Sequence, residues 1–194
     1  AIENGRRLTK SDPNGMTNWK DLGTVFEAAG KMNRARETWR EGAQHGEALV
    51  VSFENVRTRI WLGHFYARLG QRPQALDQMR RALNAEPNDP WVLYQACEIN
   101  AILRNRHEAV FYLKQAIAHG WLGIHYVTSE QEPFGALYSL RDDSEFVAVR
   151  DALQLAHDRR VDLLRHQPPE ARVVGPVGHD LIPVRHPGRA FHVC

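Results

Sequence analysis

Ten histidines are the side chains of this 194-residue chain best suited to bind a metal ion or to transfer protons. His107-Glu108 begins like the His-Glu-x-x-His zinc motif, but residue 111 is phenylalanine, so the second histidine ligand is missing. Two further pairs lie six and nine residues apart, which does not place both ligands on adjacent turns of one helix face. These pairs are His119 with His125 and His157 with His166.

Three more histidines, His179, His186 and His192, lie in the C-terminal segment 167–194. Such a segment can bind zinc or nickel, but without a fixed coordination geometry. A small metal-binding enzyme that uses this His-rich end is therefore one alternative for the function. Solvated histidines in an Arg- and His-rich sequence are the favoured interpretation, so we predict no metal site and no cofactor.

The two cysteines, Cys97 and Cys194, are too few for a disulfide framework or a metal quartet. The chain has no Gly-rich phosphate loop and no nucleophile elbow. The acidic pair Asp142-Asp143 is better explained as a helix start than as a general acid and base. We therefore predict no catalytic residues and a protein that is not an enzyme.

Charge and hydropathy exclude further classes of function. The 25 basic and 23 acidic residues give a net charge of +2, which argues against nucleic-acid binding and against an acidic membrane surface. No apolar run approaches the ~18 residues of a membrane-spanning helix, so we predict no membrane insertion. The cysteine content favours a cytoplasmic location and leaves a periplasmic one open.

A period of 34 residues organises the centre of the chain. Each of four small residues has a counterpart 34 residues later: Gly63 and Cys97, Gly70 and Arg104, Ala75 and Ala109, Ala82 and Ala116. A similar series begins upstream at Trp19. A fixed period of this length is typical of helical repeat arrays, whose function lies on a surface. In the central unit we predict that Ser52 caps a helix starting at Phe53, that Gly70 ends it and that Pro73 lies in the first turn of the next helix.

This helix, turn, helix and proline pattern resembles the tetratricopeptide repeat. The resemblance implies an all-α, right-handed α-solenoid with repeats at 16–49, 56–89 and 90–123. Gly23, Gly63 and Cys97 then occupy the position where the two helices of a repeat cross closely. Residues 1–15 resemble the second half of a further repeat, which suggests a domain cut from a longer protein.

The first two repeats are offset by 40 residues instead of 34. Six extra residues lie between Gln44 and Asn55. We expect them either to form a longer loop near Gly46 or to lengthen the following helix.

After Gly120 the period fades, and residues 124–166 are predicted to cap the array. A short helix is expected to begin at Glu132-Pro133-Phe134, followed by a long helix capped by Asp143 or Ser144. One face of the long helix is predicted to be apolar and is formed by Phe146, Val149, Leu153, Ala156 and Leu163 or Leu164. This ending resembles the C-terminal part of tetratricopeptide arrays attached to bacterial signalling proteins and transcription regulators.

Residues 167–194 hold five of the ten prolines, which predicts an extended tail. We expect this tail to fold back along the solenoid or to enter the groove of a neighbouring copy. Self-association through the tail follows as a possible mode of assembly.

In tetratricopeptide arrays the first helix of each repeat lines a concave groove that binds a peptide or a helix of a partner protein. The resemblance therefore implies a scaffold or adaptor whose partner is a protein or peptide. Lys20, Arg57 and Arg68 would orient acidic groups of the partner while apolar and aromatic side chains are desolvated. The complete set of predicted groove residues is Lys20, Thr24, Glu27, Arg57, Ile60, His64, Arg68, Trp91, Tyr94 and Glu98.

Two qualifications of this functional prediction follow from the same resemblance. Chaperone-binding arrays hold a terminal carboxylate with a Lys and Asn clamp, of which only Lys20 is matched, so recognition of a chaperone tail is disfavoured. The other alternative is a sensory or regulatory region of a larger bacterial signalling enzyme or transcription regulator, with its catalytic or DNA-binding domain before Ala1.

Overall fold

The computed structural model describes residues 1–52, 55–129 and 135–166, and this part of the chain is all-α. It contains nine α helices and one 3₁₀ helix, with no strand among these residues. The bounds are α1 Ile2–Ser11, α2 Met16–Ala28, α3 Met32–Ser52, α4 Val56–Arg68, α5 Arg72–Ala85, α6 Pro90–Ile102, α7 Arg106–Ala118, α8 Ile124–Ser129, the 3₁₀ helix Ala136–Leu140 and α9 Ser144–His166. The all-α fold class is confirmed.

The chain divides into two units, residues 1–157 and residues 158–194. In the second unit, the described part is the C-terminal end of α9. All side-chain interactions discussed below lie within the first unit. None of the helices that the structure describes combines the length and the apolar character needed to cross a membrane.

The first unit contains three helix hairpins, in which α2 packs on α3, α4 on α5 and α6 on α7. The first helices of the hairpins also contact one another, α2 with α4 and α4 with α6, while α1 packs on α2. This arrangement of adjacent helix pairs is consistent with the predicted α-solenoid. It places α2, α4 and α6 in one layer, which is the layer predicted to carry the groove.

The turns inside the three hairpins share one backbone geometry. Gly30, Gly70 and Arg104 have φ angles of 70°, 76° and 61°. In the second turn the amide of Gln71 donates to Tyr66 O at 2.8 Å, and in the third the amide of Asn105 donates to Asn100 O at the same distance. These bonds satisfy the last carbonyl groups of the first helix. The role of Gly70 as a helix-ending residue is confirmed.

The small residues predicted at the helix crossings are needed there. A Cβ atom on Gly23 would lie 2.0 Å from Nε1 of Trp39, and one on Gly63 would lie 3.2 Å from the carbonyl oxygen of Ala75. Cys97, at the equivalent position of the third hairpin, is fully buried. Close packing at the crossings therefore fixes the distance between the two helices of a hairpin.

The six extra residues extend α3, so both sequence-based alternatives are wrong. Ser52 is the last residue of α3 and does not cap the next helix; its hydroxyl donates to Ala48 O at 3.2 Å. The cap of α4 is Asn55, whose Oδ1 accepts from the amide of Arg57 at 2.8 Å. Gly46 is a contact residue, because a Cβ there would lie 2.9 Å from Cδ2 of Leu62.

The region after Gly120 packs its apolar residues against the third hairpin. Trp121, Ile124, Leu137 and Phe146 share one buried cluster with residues of α6 and α7, among them Leu93 and Leu113. This cluster covers the apolar end of the hairpin array. An open solenoid needs such a cover, because its last apolar face would otherwise be exposed to water.

Asp143 is the cap of α9, since its Oδ1 accepts from the amides of Glu145 at 3.1 Å and Phe146 at 3.0 Å. Ala156 is exposed, so its predicted place on the buried face is wrong. Three predictions fall outside the described part of the chain: the packing of Leu163 or Leu164, the helix at Glu132-Pro133-Phe134 and the tail 167–194.

Candidate functional site

The predicted groove residues lie on α2, α4 and α6, but the structure separates them by burial. Four of them are buried, and six are exposed or partly exposed. The buried residues are Ile60, His64, Tyr94 and Glu98. The exposed residue is Arg57, and the partly exposed ones are Lys20, Thr24, Glu27, Arg68 and Trp91. The four buried residues are therefore wrong as surface residues, and only the remaining positions can contact a partner without rearrangement.

The middle of α4 and α6 is closed by His64 and Glu98. Nε2 of His64 lies 3.9 Å from Oε2 of Glu98, and both side chains are almost completely buried. Within the described residues neither ring nitrogen of His64 has a hydrogen-bond partner. Burial, followed by the charges of Arg68 and Lys20, lowers the pKa of His64 well below its usual value, so the ring is neutral at pH 7.

Tyr94 is covered by aromatic rings that follow the third hairpin. Its ring stacks on Trp121 with centroids 4.5 Å apart, and Tyr126 lies 6.3 Å away. Ile60 is buried by a different contact, in the cluster where α4 meets α5 and α6. The repeat period cannot reveal either contact, because both depend on how neighbouring elements pack.

The side chains on α2 also bond to their own surroundings. The hydroxyl of Thr24 donates to Lys20 O at 3.0 Å, within the helix. Glu27 pairs with Arg68 of α4, Nη1 to Oε2 at 3.0 Å, and the Arg68 guanidinium lies 5.4 Å from the ring centre of Trp39. Arg68 therefore links α2, α3 and α4, in addition to lining the groove.

At the N-terminal ends of α4 and α6, Arg57, Trp61 and Trp91 form a cluster that we call the Arg–Trp cluster. The Arg57 guanidinium lies 4.5 Å from the ring centre of Trp91, and the two indole rings meet edge to face at 5.8 Å. Arg57 is exposed, and both tryptophans are partly exposed. A cation held over an indole is a stable arrangement that still presents apolar surface.

At the C-terminal ends of the same helices lies a cavity of about 590 Å³, which we call the arginine cavity. Its floor includes Ala67 of α4 and Ala101 of α6, and the 3₁₀ helix forms one wall. The hydroxyl of Ser139 on that wall donates to Ala101 O at 3.0 Å. The polar and larger apolar lining residues are Glu27, Arg36, Arg68, Arg104, Met32, Trp39, Leu69, Ile102 and Tyr138.

Sequence reasoning missed Arg36, Arg104 and Trp61 as site residues. The period itself contained a signal for Arg104, because it occupies the turn position that Gly30 and Gly70 hold in the other hairpins. No comparable signal marks Arg36, which lies on α3, the second helix of its hairpin. A prediction that considers only the first helix of each hairpin therefore omits the residues of α3 that line the arginine cavity.

The described residues offer no group of three His, Cys, Asp or Glu side chains that could hold a metal ion. Burial and the neighbouring Glu98 raise the pKa of the Cys97 thiol well above its usual value. The thiol therefore stays protonated at neutral pH, which is the behaviour of a packing residue. The histidines of the segment 167–194 lie outside the described residues.

Comparison with protein families identifies residues 56–99 as a tetratricopeptide repeat. The matched residues comprise α4, α5 and most of α6. They carry all three residues of the Arg–Trp cluster and both members of the His64–Glu98 pair. A search of curated proteins finds no match to this chain.

Proposed function

We propose that this chain, in which residues 56–99 match a tetratricopeptide repeat, is an interaction module that binds a peptide segment of a partner protein along helices α4 and α6. Tetratricopeptide repeats are typical of protein-protein interaction modules, which supports a protein partner. The observation that supports this location of the binding site is the Arg–Trp cluster. In it an exposed cation and two partly exposed indole rings meet on the helix layer predicted to carry the groove.

The composition of the cluster supports binding energy at this place. Tryptophan and arginine are the residue types enriched among those that dominate interface energies. Arg57 already holds one face of Trp91, so the ring is ordered before a partner binds and loses little conformational freedom on binding. The Arg–Trp cluster is thus suited to receive an apolar side chain or a proline of the partner.

The helix geometry defines the length of the bound segment. Arg57 and Arg68 are separated by three turns on one face of α4, and Trp91 and Ile102 are separated equally on α6. Eleven residues of helix span about 16 Å. An extended chain covers that distance with about five residues. A segment of this length reaches from the Arg–Trp cluster to the arginine cavity across the closed middle.

A test is the selection of peptides from a random phage-displayed library on the full chain. Binding of the selected peptides is then measured to the wild type and to Arg57→Gln and Trp91→Leu variants. We expect each variant to weaken binding by about tenfold, the size of one interface hot spot. Phe111→Ser is the matched control, because Phe111 is 46% exposed on α7, away from the groove layer.

The proposal is wrong if the selected peptides bind both groove variants as well as they bind the wild type. It is equally wrong if they lose affinity for Phe111→Ser instead, because α7 would then carry the binding surface. Variants of Tyr94 or Arg68 are unsuitable for this test, since both side chains are packed in the structure and their loss would disturb the fold.

A further inference from the structure

We propose that the arginine cavity receives an acidic side chain of the bound peptide, and that Arg36 and Arg104 bind its carboxylate. This inference rests on the proposed function, because it assigns the chemistry of one end of the same bound segment. The cavity volume of about 590 Å³ lies within the range of sites that enclose small ligands, about 300–1,000 Å³.

The charge of the cavity is the first argument. Three guanidinium groups line it, together with a single carboxylate, that of Glu27. Glu27 is paired with Arg68 at 3.0 Å, and no carboxylate among the described residues pairs with Arg36 or Arg104. The excess of positive charge is larger than the partial negative charge of the nearby helix ends, about half a charge each. The cavity therefore attracts an anion.

The backbone at Arg104 is the second argument. Its φ of 61° lies in the left-handed region, where Gly30 and Gly70 occupy the same turn in the other two hairpins. The turn needs no side chain at this position, and a non-glycine residue is disfavoured there. A strained residue that lines a cavity is a candidate for function, and what Arg104 adds to this cavity is a guanidinium.

The apolar side chains that line the arginine cavity indicate which type of residue lies next to the acidic residue in the bound peptide. Met32 and Tyr138 are 40% and 38% exposed at the cavity, and Ile102 is partly exposed. These side chains offer a surface for an aliphatic residue next to the carboxylate. A carboxylate held by guanidinium groups beside such a surface forms stronger hydrogen bonds than it does in open water. The occupant is therefore an acidic residue adjacent to a large aliphatic one.

The probe is a short fluorescein-labelled peptide, capped at both ends, in which two aspartates precede a leucine. Its partner peptide carries asparagines in place of the aspartates. Binding is measured by fluorescence anisotropy to the full chain at low salt. We expect the aspartate peptide to bind at least about fivefold more tightly than the asparagine peptide, because a charge-assisted hydrogen bond is lost in the latter. Rising salt should reduce this difference.

Arg36→Gln and Arg104→Gly are the test variants, and Arg106→Gln is the control. Each removes one positive charge, but Arg106 is exposed and is not among the residues that line the cavity. We expect the first two variants to weaken binding of the aspartate peptide by about five- to tenfold. The control should stay within about twofold, because an exposed charge outside the cavity is screened by solvent and salt.

Equal binding of the two peptides, no binding of the aspartate peptide, or an equal response of all three variants would each overturn the inference. The result for Trp91→Leu distinguishes failure of this inference from failure of the proposed function. If Trp91→Leu weakens binding while Arg36→Gln and Arg104→Gly do not, the groove stands and the acidic specificity is wrong. If only the cavity variants weaken binding, the acidic specificity stands and the Arg–Trp cluster is wrong.

Discussion

Arg68 of α4 reaches Glu27 of α2 across the boundary between the first two hairpins, with Nη1 3.0 Å from Oε2. The side chains are 9% and 17% exposed, so water replaces this contact poorly. The same guanidinium lies against Trp39 of α3. One arginine thus joins three helices at the edge of the arginine cavity, and the cavity shape depends on it.

We expect Glu27→Gln to lower the free energy of unfolding by about 1–3 kcal/mol, because it leaves the mostly buried Arg68 without its carboxylate. Urea unfolding measures the change. The control is Glu37→Gln, which removes an exposed pair with Arg34 whose side chains are 63% and 49% exposed. That change should cost less than about 1 kcal/mol. Equal losses in the two variants would contradict the structural role of the Arg68–Glu27 pair.

Arg104→Gly should raise the free energy of unfolding by about 0.5–1 kcal/mol. Relief of the left-handed strain, about 1–2 kcal/mol, exceeds the entropic cost of a new glycine in the unfolded chain. Gly70→Ala is the reciprocal change and should destabilise by about 1 kcal/mol. A Cβ at Gly70 meets no atom within 4 Å, so this loss would report backbone conformation alone. Losses of stability in both variants would argue against strain at Arg104.

The effects expected for Arg104→Gly on stability and on peptide binding have opposite directions, so they can be told apart. The same substitution should stabilise the fold and weaken binding of an acidic peptide. Loss of binding through partial unfolding would reduce both properties together, so the two measurements distinguish the explanations.

Acid should destabilise the protein through His64. Its pKa in the folded state is lowered by burial, with Arg68 and Lys20 adding to the effect, while Glu98 is the acidic group that faces it. The unfolded chain therefore binds the proton more readily than the folded one. The stabilisation from a neutral His64 is complete above about pH 6.5 and is lost as the pH falls below that value.

We expect the free energy of unfolding to fall between about pH 7 and pH 5, and this slope to be shallower in His64→Gln. Urea unfolding at a series of pH values gives the slope even if the variant is less stable throughout. His107→Gln is the control, because the side chain of His107 is 87% exposed. An unchanged slope in His64→Gln would show that other groups cause the pH dependence.

Gly23→Ala should destabilise by about 1–3 kcal/mol, because the new Cβ would lie 2.0 Å from the indole of Trp39, which is 1% exposed. Gly5→Ala is the control: its Cβ would meet the terminal Cδ1 methyl group of Leu22 at 2.8 Å, which a change of the side-chain rotamer can move away. In the background of Trp39→Leu, the cost of Gly23→Ala should shrink. The resulting double-mutant cycle measures the contact directly. If Gly23→Ala costs as much in the Trp39→Leu background as in the wild type, the new methyl group does not clash with Trp39.

The hairpins could be predicted from the sequence because their determinants are local and repeated. Glycine in the first two turns and small residues at the crossings have a fixed spacing within each hairpin, and each has a direct physical reason. Gly46 shows the limit of this reasoning. Glycine suggested a loop, but the residue packs on Leu62 of another helix, and that contact allows α3 to continue.

The candidate site was predictable only in part, because accessibility depends on neighbours outside the repeat. His64 and Tyr94 stand at groove positions in the sequence, yet Glu98 and Trp121 help to bury them. Arg36 enters the site from the second helix of its hairpin. A period identifies which residues share a face, but it does not determine which part of that face stays open.

The long α3 has a consequence for how this architecture tolerates changes in length. The helix has 21 residues, against 14 in α5 and 13 in α7, and the added length lies at the end away from its own hairpin turn. Gly23, Trp39 and the turn at Gly30 keep their spacing whether or not the extension is present. The end of α3, where Val51 is 89% exposed, is therefore the natural place for an engineer to graft a tag, a reporter or an additional domain.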